Sequence, residues 1–406
     1  MLLANKNYTP EVVELSRKIS SNVSQCFNNW LVNSSYKINH DLVDSLLSLE
    51  NRYCDDVIFK ESERITNNQR ILLRCEQDRV AAKREKIAAK QNTLRYVLED
   101  ICETASVMLE KKLETTLISS LFSQLPDYNH FASIAYSPSL NFNKLNQIAL
   151  ENRGLSSSLT DFVSNRQFCE KYGRKPKVIL DPKVAVGLIG IDNCRLLFPI
   201  LMSQSLLKWS DENTKDISPK LWQHLVVTAN ATRIRLQDTS VREPDVGVLL
   251  GTLRVIPMFL VCNHFSQTFE DALVQTMLSY REASDRHNEY YACAEVLPDT
   301  SFLEKIFSSM EKRLLSKLIE HIDWSPNTAY IKQALVEEVD GVDVSERSVY
   351  GAALAQAHAF SIFEALNNSE LFNLKHRPYW FSQVQMSGLA IAQMKSRVPG
   401  QLTDSM

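Results

Sequence analysis

The chain has 406 residues, 44% of them hydrophobic and 23% charged, enough to bury a sizeable core across two or three globular units. Its 45 Lys and Arg against 48 Asp and Glu leave a formal net charge of −3, which excludes a global electrostatic pull toward nucleic acid or anionic membrane. Ten glycines are too few for hairpin-rich sheets or glycine-lined phosphate loops, so the composition predicts an all-α protein.

The eight cysteines are scattered with no C-x-x-C pair, a usage that fits reduced thiols in the cytoplasm and not a zinc ribbon or a disulfide framework. The N-terminus has no apolar signal region, and nowhere do 18 apolar residues run together. A soluble, cytoplasmic protein with no membrane segment is the expectation.

In chain order, Thr9 and Pro10 read as N-cap and first helical residue, with Val12, Val13, Leu15, Ile19 and Val23 at helical spacing. A short helix is expected over Asp41 to Leu49. The charged stretch from Lys60 to Lys112 carries Leu73, Val80, Ile87, Leu94, Ile101 and Met108 seven residues apart. That stripe predicts one long helix. The companion positions Gln77, Arg84 and Gln91 deny its first half a coiled-coil seam. Ten Lys/Arg against five Asp/Glu between Lys60 and Arg95 give a local excess of five positive charges. A solvated helix face accounts for it better than a nucleic-acid arm, because no aromatics are interleaved for base stacking.

Proline-bearing segments near 123–130 and 173–183 read as connections, with a helical pattern from Phe142 to Phe168 between them. Asp181 and Pro182 form a cap pair for an apolar helix halted near Gly190, and a second apolar helix from Asn193 to Leu207 is expected to bend at Pro199. Ser218 and Pro219 read as N-cap and first residue of the next helix, Pro244 opens another that Pro257 should kink, and amphipathic helices follow, one pair broken around Asp323 to Pro326. Two more helices, from Ser348 to Leu366 and after "KHRPYW", complete the chain.

Five segments in order, "LNFNKLNQIALENRGLSSSLTDFVSNRQF", "AVGLIGIDNCRLLF", "LWQHLVVTANATRIRLQ", "DVGVLLGTLRVIPMFL" and "SKLIEHIDWSPNTAYIKQAL", resemble the HDOD family. These are all-helical bacterial signalling domains related to the HD metal-dependent phosphohydrolases. Leu188, Ile189 and Gly190 resemble the family's helix-breaking pair of aliphatics plus glycine, and Trp222 with His224 its tryptophan-x-histidine. Ser325 stands where the family has a glycine. The resemblance implies an HD-like helical core over 116–335, flanked by helical extensions at 1–115 and 336–406.

Active relatives bind divalent metal through a histidine, an adjacent His-Asp dyad and a later aspartate. His224 matches the first. The dyad falls on Leu250-Gly251 or Gly251-Thr252, whose side chains supply neither imidazole nor carboxylate. The expectation is therefore no catalytic residues, no metal and no cofactor, with His224 either a hydrogen-bonded core histidine or a pocket contact for a small ligand.

Two readings remain beside a non-enzymatic signalling module that binds protein partners. One is a sensor whose vestigial pocket, His224, Thr252 and Arg254, takes a nucleotide or cyclic dinucleotide, with Arg254 pairing a phosphate if it faces inward and being a surface arginine otherwise. The other is a residual phosphohydrolase. His264, His287 and His358 read as isolated helix-face histidines, and "EEVDGVD" (337–343) as a turn without the oxygen pattern of a calcium loop.

Overall fold

A computed structural model describes residues 2–4, 6, 8–33, 74–122, 124–171, 173, 175, 177–283, 285–397 and 399. The helix expected over Asp41 to Leu49 and the start of the charged stretch lie outside them. The protein is all-α: seventeen α-helices and no strand occur among the described residues.

The chain divides into two compact units. One comprises residues 1–34, 106–268 and 300–406; the other is 35–105 with 269–299.

In the larger unit, α1 (Pro10–Val32) starts behind Thr9 with Pro10 at its first position. Its buried edge is Ile19, Val23, Phe27 and Leu31, at the spacing that puts them on one face. α2 (Arg74–Thr115) is the long charged helix. Its residues 81–90 are all exposed, Ile87 included at 48%, so the seven-residue stripe faces water at Ile87. The sequestered positions are instead Val97, Ile101 and Ala105, in the smaller unit, and Leu109 and Leu113, in the larger.

After α3 (Ile118–Leu121) and α4 (Tyr128–Ala135), the pattern from Phe142 to Phe168 resolves into three helices, α5 (Phe142–Glu151), α6 (Arg153–Ser164) and α7 (Arg166–Lys171). The break is at Asn152, whose side chain accepts from Leu155 N at 2.9 Å. That cap competes with helix continuation and wins. α8 (Pro182–Ile189) carries the expected Asp181 cap, accepting from Lys183 N at 2.9 Å. Gly190 then ends it and opens α9 (Ile191–Gln204), which holds Pro199 in its interior.

α10 (Ile217–Gln237) begins earlier than expected. Its N-cap is Asp216, and Ser218 and Pro219 lie inside the first turn. Ile217 N and Ser218 N both donate to Thr214 O at 2.9 Å, so the preceding turn already supplies helical geometry, and Pro219 is tolerated because first-turn N–H groups need no helical acceptor. α11 (Val246–Glu282) runs on through Pro257 for 37 residues, joining what the sequence suggested were separate helices. Among the described residues it is the one helix long and apolar enough to cross a membrane, and its apolar window is entirely buried in the protein.

The remaining helices are α12 (His287–Ala292), α13 (Leu303–His321), α14 (Ala329–Asp340), α15 (Val349–Asn368), α16 (Arg377–Ser382) and α17 (Gly388–Ser396). The break after Asp323 is made by a Ser325–Thr328 capping box, and α14 ends on Gly341 in the left-handed conformation, φ 66. α10 and α15 pair extensively along their lengths, which small residues on α15 permit: Gly351, Ala352, Ala353, Ala355, Ala357 and Ala359 are all buried.

Before α1, the chain runs as a strap. Ala4 N donates to Gln385 O at 2.8 Å, Gln385 Nε2 donates to Lys6 O at 3.0 Å, and Leu2 O accepts from Arg235 Nη2 at 3.0 Å and Gln356 Nε2 at 3.1 Å. Leu2 and Leu3 pack on Val344, Ala352 and Ala355.

Candidate functional site

The polar centre of the larger unit is assembled on the α10–α15 pair. His224 sits on α10, three turns from Arg235, and His358 and Ser361 sit on α15. Both helices are buried on nearly all sides, so a polar side chain on them can draw partners only from inside the protein.

His224 Nδ1 and Ser361 Oγ are 2.8 Å apart, and Ser361 Oγ donates to the His224 carbonyl at 3.3 Å. The arrangement that uses both contacts has Nδ1–H donating to the serine oxygen. Phe27 covers one side of the imidazole, 4.8 Å between ring centres, and His358 stands edge-on at 5.3 Å. Burial, with the charge of Arg254 adding to it, pushes the His224 pKa down to about 3. It is a neutral core histidine held by a hydroxyl.

His358 Nε2 lies 3.9 Å from Glu311 Oε1, too far for a hydrogen bond. Burial, then the neighbouring Arg254 and His224, hold its pKa well below the ordinary value.

Arg254, on α11, faces inward and is 4% exposed. Its Nη2 pairs with Glu311 Oε1 at 2.8 Å and its Nε with Glu338 Oε1 at 3.1 Å. Glu338 Oε2 in turn takes Arg347 Nη1, and Arg347 Nε donates to Val342 O at 2.8 Å. Two guanidinium and two carboxylate groups thus alternate between α11, α13, α14 and the turn before α15. Burial opposes ionisation of Glu338, but Arg254 and Arg347 hold its carboxyl well below the usual carboxylate range. The charges balance, as a buried cluster requires.

Thr252 is fully buried, and its hydroxyl has no hydrogen-bond partner. The neighbouring Gly251 marks a close helix crossing: a Cβ there would lie 2.5 Å from Ala229 Cα and 2.7 Å from Thr228 O. Gly247 meets Arg233 backbone in the same way, at 2.5 Å. α11 therefore lies on α10 with backbone against backbone.

Of the three residues singled out from sequence, the structure brings His224 and Arg254 into one electrostatic neighbourhood. It closes Arg254 with carboxylates. Sequence reasoning missed His358 as the neighbour of His224, and Glu311, Glu338, Arg347 and Ser361 altogether. A usable signal existed in "AALAQAHAFSIF": Gln356, His358 and Ser361 interrupt a small-residue helix too apolar to face water. His264, by contrast, stands apart, its Nε2 3.0 Å from Leu121 O. Among the described residues, no group of three His, Cys, Asp or Glu side chains converges as a metal site.

Beside this cluster, α1, the α14–α15 turn, α15 and the segment after α16 line an open cavity of about 530 Å3. Glu338, Arg347 and His358 form part of its wall. The chain matches no protein-family model, no curated protein and no solved structure.

Proposed function

We propose that this chain is a non-catalytic regulatory protein of the HDOD type, acting in bacterial signal transduction through a protein partner. The observation that carries this reading is the Gly251–Ala229 contact. In the registers that the resemblance offers, the metal-holding dyad would fall on Leu250, Gly251 or Thr252, and at Gly251 a side chain has no room against the α10 backbone. His224, the one residue that matches a family ligand, is enclosed by Ser361, Phe27 and His358.

The nucleotide-sensing reading has less support. Arg254 faces inward, but Glu311 takes its Nη2 and Glu338 its Nε, so a phosphate reaching the remaining Nη1 would lie beside two carboxylates at a buried position.

The full chain incubated with Mn2+ or Mg2+ should hydrolyse phosphomonoesters and phosphodiesters no faster than the His224→Ala variant, and should purify without stoichiometric metal. Metal-dependent hydrolysis abolished by His224→Ala would end the non-catalytic reading. The signalling role predicts a partner recovered from the native extract and again in the reciprocal capture; no reproducible partner counts against it.

A further inference from the structure

We propose that the cavity of about 530 Å3 beside α1 is a binding site for a small organic carboxylate with an apolar body. Its volume is that of a small-molecule pocket, and its wall is divided. Val13, Ile362 and Trp380 contribute apolar surface, while Arg17, Arg347 and Asp343 contribute charge.

The charge of the ligand follows from which polar groups are already committed. Glu338 has both oxygens engaged, one by Arg254 and one by Arg347. Asp343 accepts from Ser345 N at 2.9 Å and from Ser345 Oγ at 2.6 Å, both through Oδ1, which leaves one oxygen uncommitted. Ser16 and Ser382, also in the wall, bond each other at 2.9 Å. Trp380 Nε1 donates to Ala359 O at 2.9 Å.

The cations are less fully used. A guanidinium has five N–H donors, and the bonds formed by Arg347 are made by Nε to Val342 O and by Nη1 to Glu338. Its side chain is 8% exposed, and Nη2 is the donor left for the cavity. Arg17, on α1, adds a second guanidinium at the rim. Against one oxygen of Asp343 and the neutral ring of His358, the larger unspent capacity is donor capacity on two cations, which is what a carboxylate accepts from. Each carboxylate in the wall also argues against a dianion, so a phosphate ester is the poorer fit. This assignment goes beyond the regulatory reading and does not depend on it.

The test is calorimetric titration of the full chain with benzoate, phenylacetate and hexanoate, against their primary amides, and against phenyl phosphate and inorganic phosphate. At least one carboxylate should bind at millimolar concentration or better, at least tenfold more tightly than its amide and more tightly than either phosphate. Arg17→Gln, an exposed position outside the buried cluster, should weaken that binding about tenfold, the loss of one charge-assisted contact, with the melting temperature unchanged. No heat with any carboxylate, equal binding of amide and acid, tighter binding of phenyl phosphate, or indifference to Arg17→Gln would each overturn the assignment. A hydrolysis assay that failed the regulatory reading would leave these titrations unaffected, so the two are judged separately.

Discussion

Gly251 lies so close to Ala229 that a single added methyl would stand 2.5 Å from the Ala229 Cα. Backbone cannot step aside as a side chain can. Gly251→Ala should therefore cost about 1–3 kcal/mol in denaturant unfolding, the range for overpacked cores. Gly187→Ala is the matched control: it is also helical, with nothing within 4 Å of the new methyl. It should stabilise by about 0.5–1 kcal/mol through helix propensity. If the two substitutions behave alike, the close crossing of α10 and α11 is wrong.

The two histidines predict an acid-labile protein. Both are held neutral in the fold, His224 with its pKa pushed down to about 3 and His358 well below its usual value. Unfolding returns each to an ordinary imidazole near 6.5. Below that pH the unfolded chain binds more protons than the folded one, so stability is fully present above about 6.5 and is lost as pH falls toward 3. Each histidine contributes a slope of up to about 1.4 kcal/mol per pH unit in that window. A His224→Gln, His358→Gln double variant should show a flatter dependence of unfolding free energy on pH between 6 and 4, roughly, while an unchanged slope would mean that the rings are not buried as described.

Glu338 joins two cations, Arg254 at 3.1 Å and Arg347 by its other oxygen. Removing its charge leaves both guanidinium groups short of a partner, and Glu338→Gln should destabilise by about 3–5 kcal/mol. Arg347→Met in the same background should cost less than it does alone, with a coupling of about 1–3 kcal/mol in a double-mutant cycle. Additive costs would dissolve the cluster into independent contacts.

The strap before α1 should be worth more than its length suggests. Deleting residues 2–8 removes the carbonyl that Arg235 Nη2 and Gln356 Nε2 share, and uncovers Val344, Ala352 and Ala355. Arg235 is 2% exposed, so its lost partner is felt in the core. The truncated protein should unfold about 2–4 kcal/mol more easily. Amide exchange should rise at 383–386, where Gln385 holds the strap in a backbone conformation with φ 49.

Chemistry confined to a few neighbouring residues was legible in the one-dimensional chain. Pro10 after Thr9, the Asp181 cap, the helix start at Ser348, whose side chain accepts from Gly351 N, and Gly341 as a turn all depend on contacts within four residues. The helical class follows from the same local preferences. Where local signals competed, the sequence was less decisive. Ser218 is as good a cap as Asp216, and the Thr214 turn decided between them. Asn152 interrupted a pattern whose apolar spacing alone read as continuous.

The buried cluster was not legible, because its bonds join residues that only the packing of different elements brings together. His224 meets Ser361 across 137 positions, and Arg254 meets Glu338 across 84. Sequence placed polar residues on apolar helices and so determined that they need partners. Which partner each obtains depends on how closely α10, α11 and α15 approach, and that is set by glycines and alanines whose own side chains announce nothing. The amino-acid order determined the helices and their caps; packing in three dimensions decided that Arg254 spends its charge on glutamates, because only there do all three meet out of water.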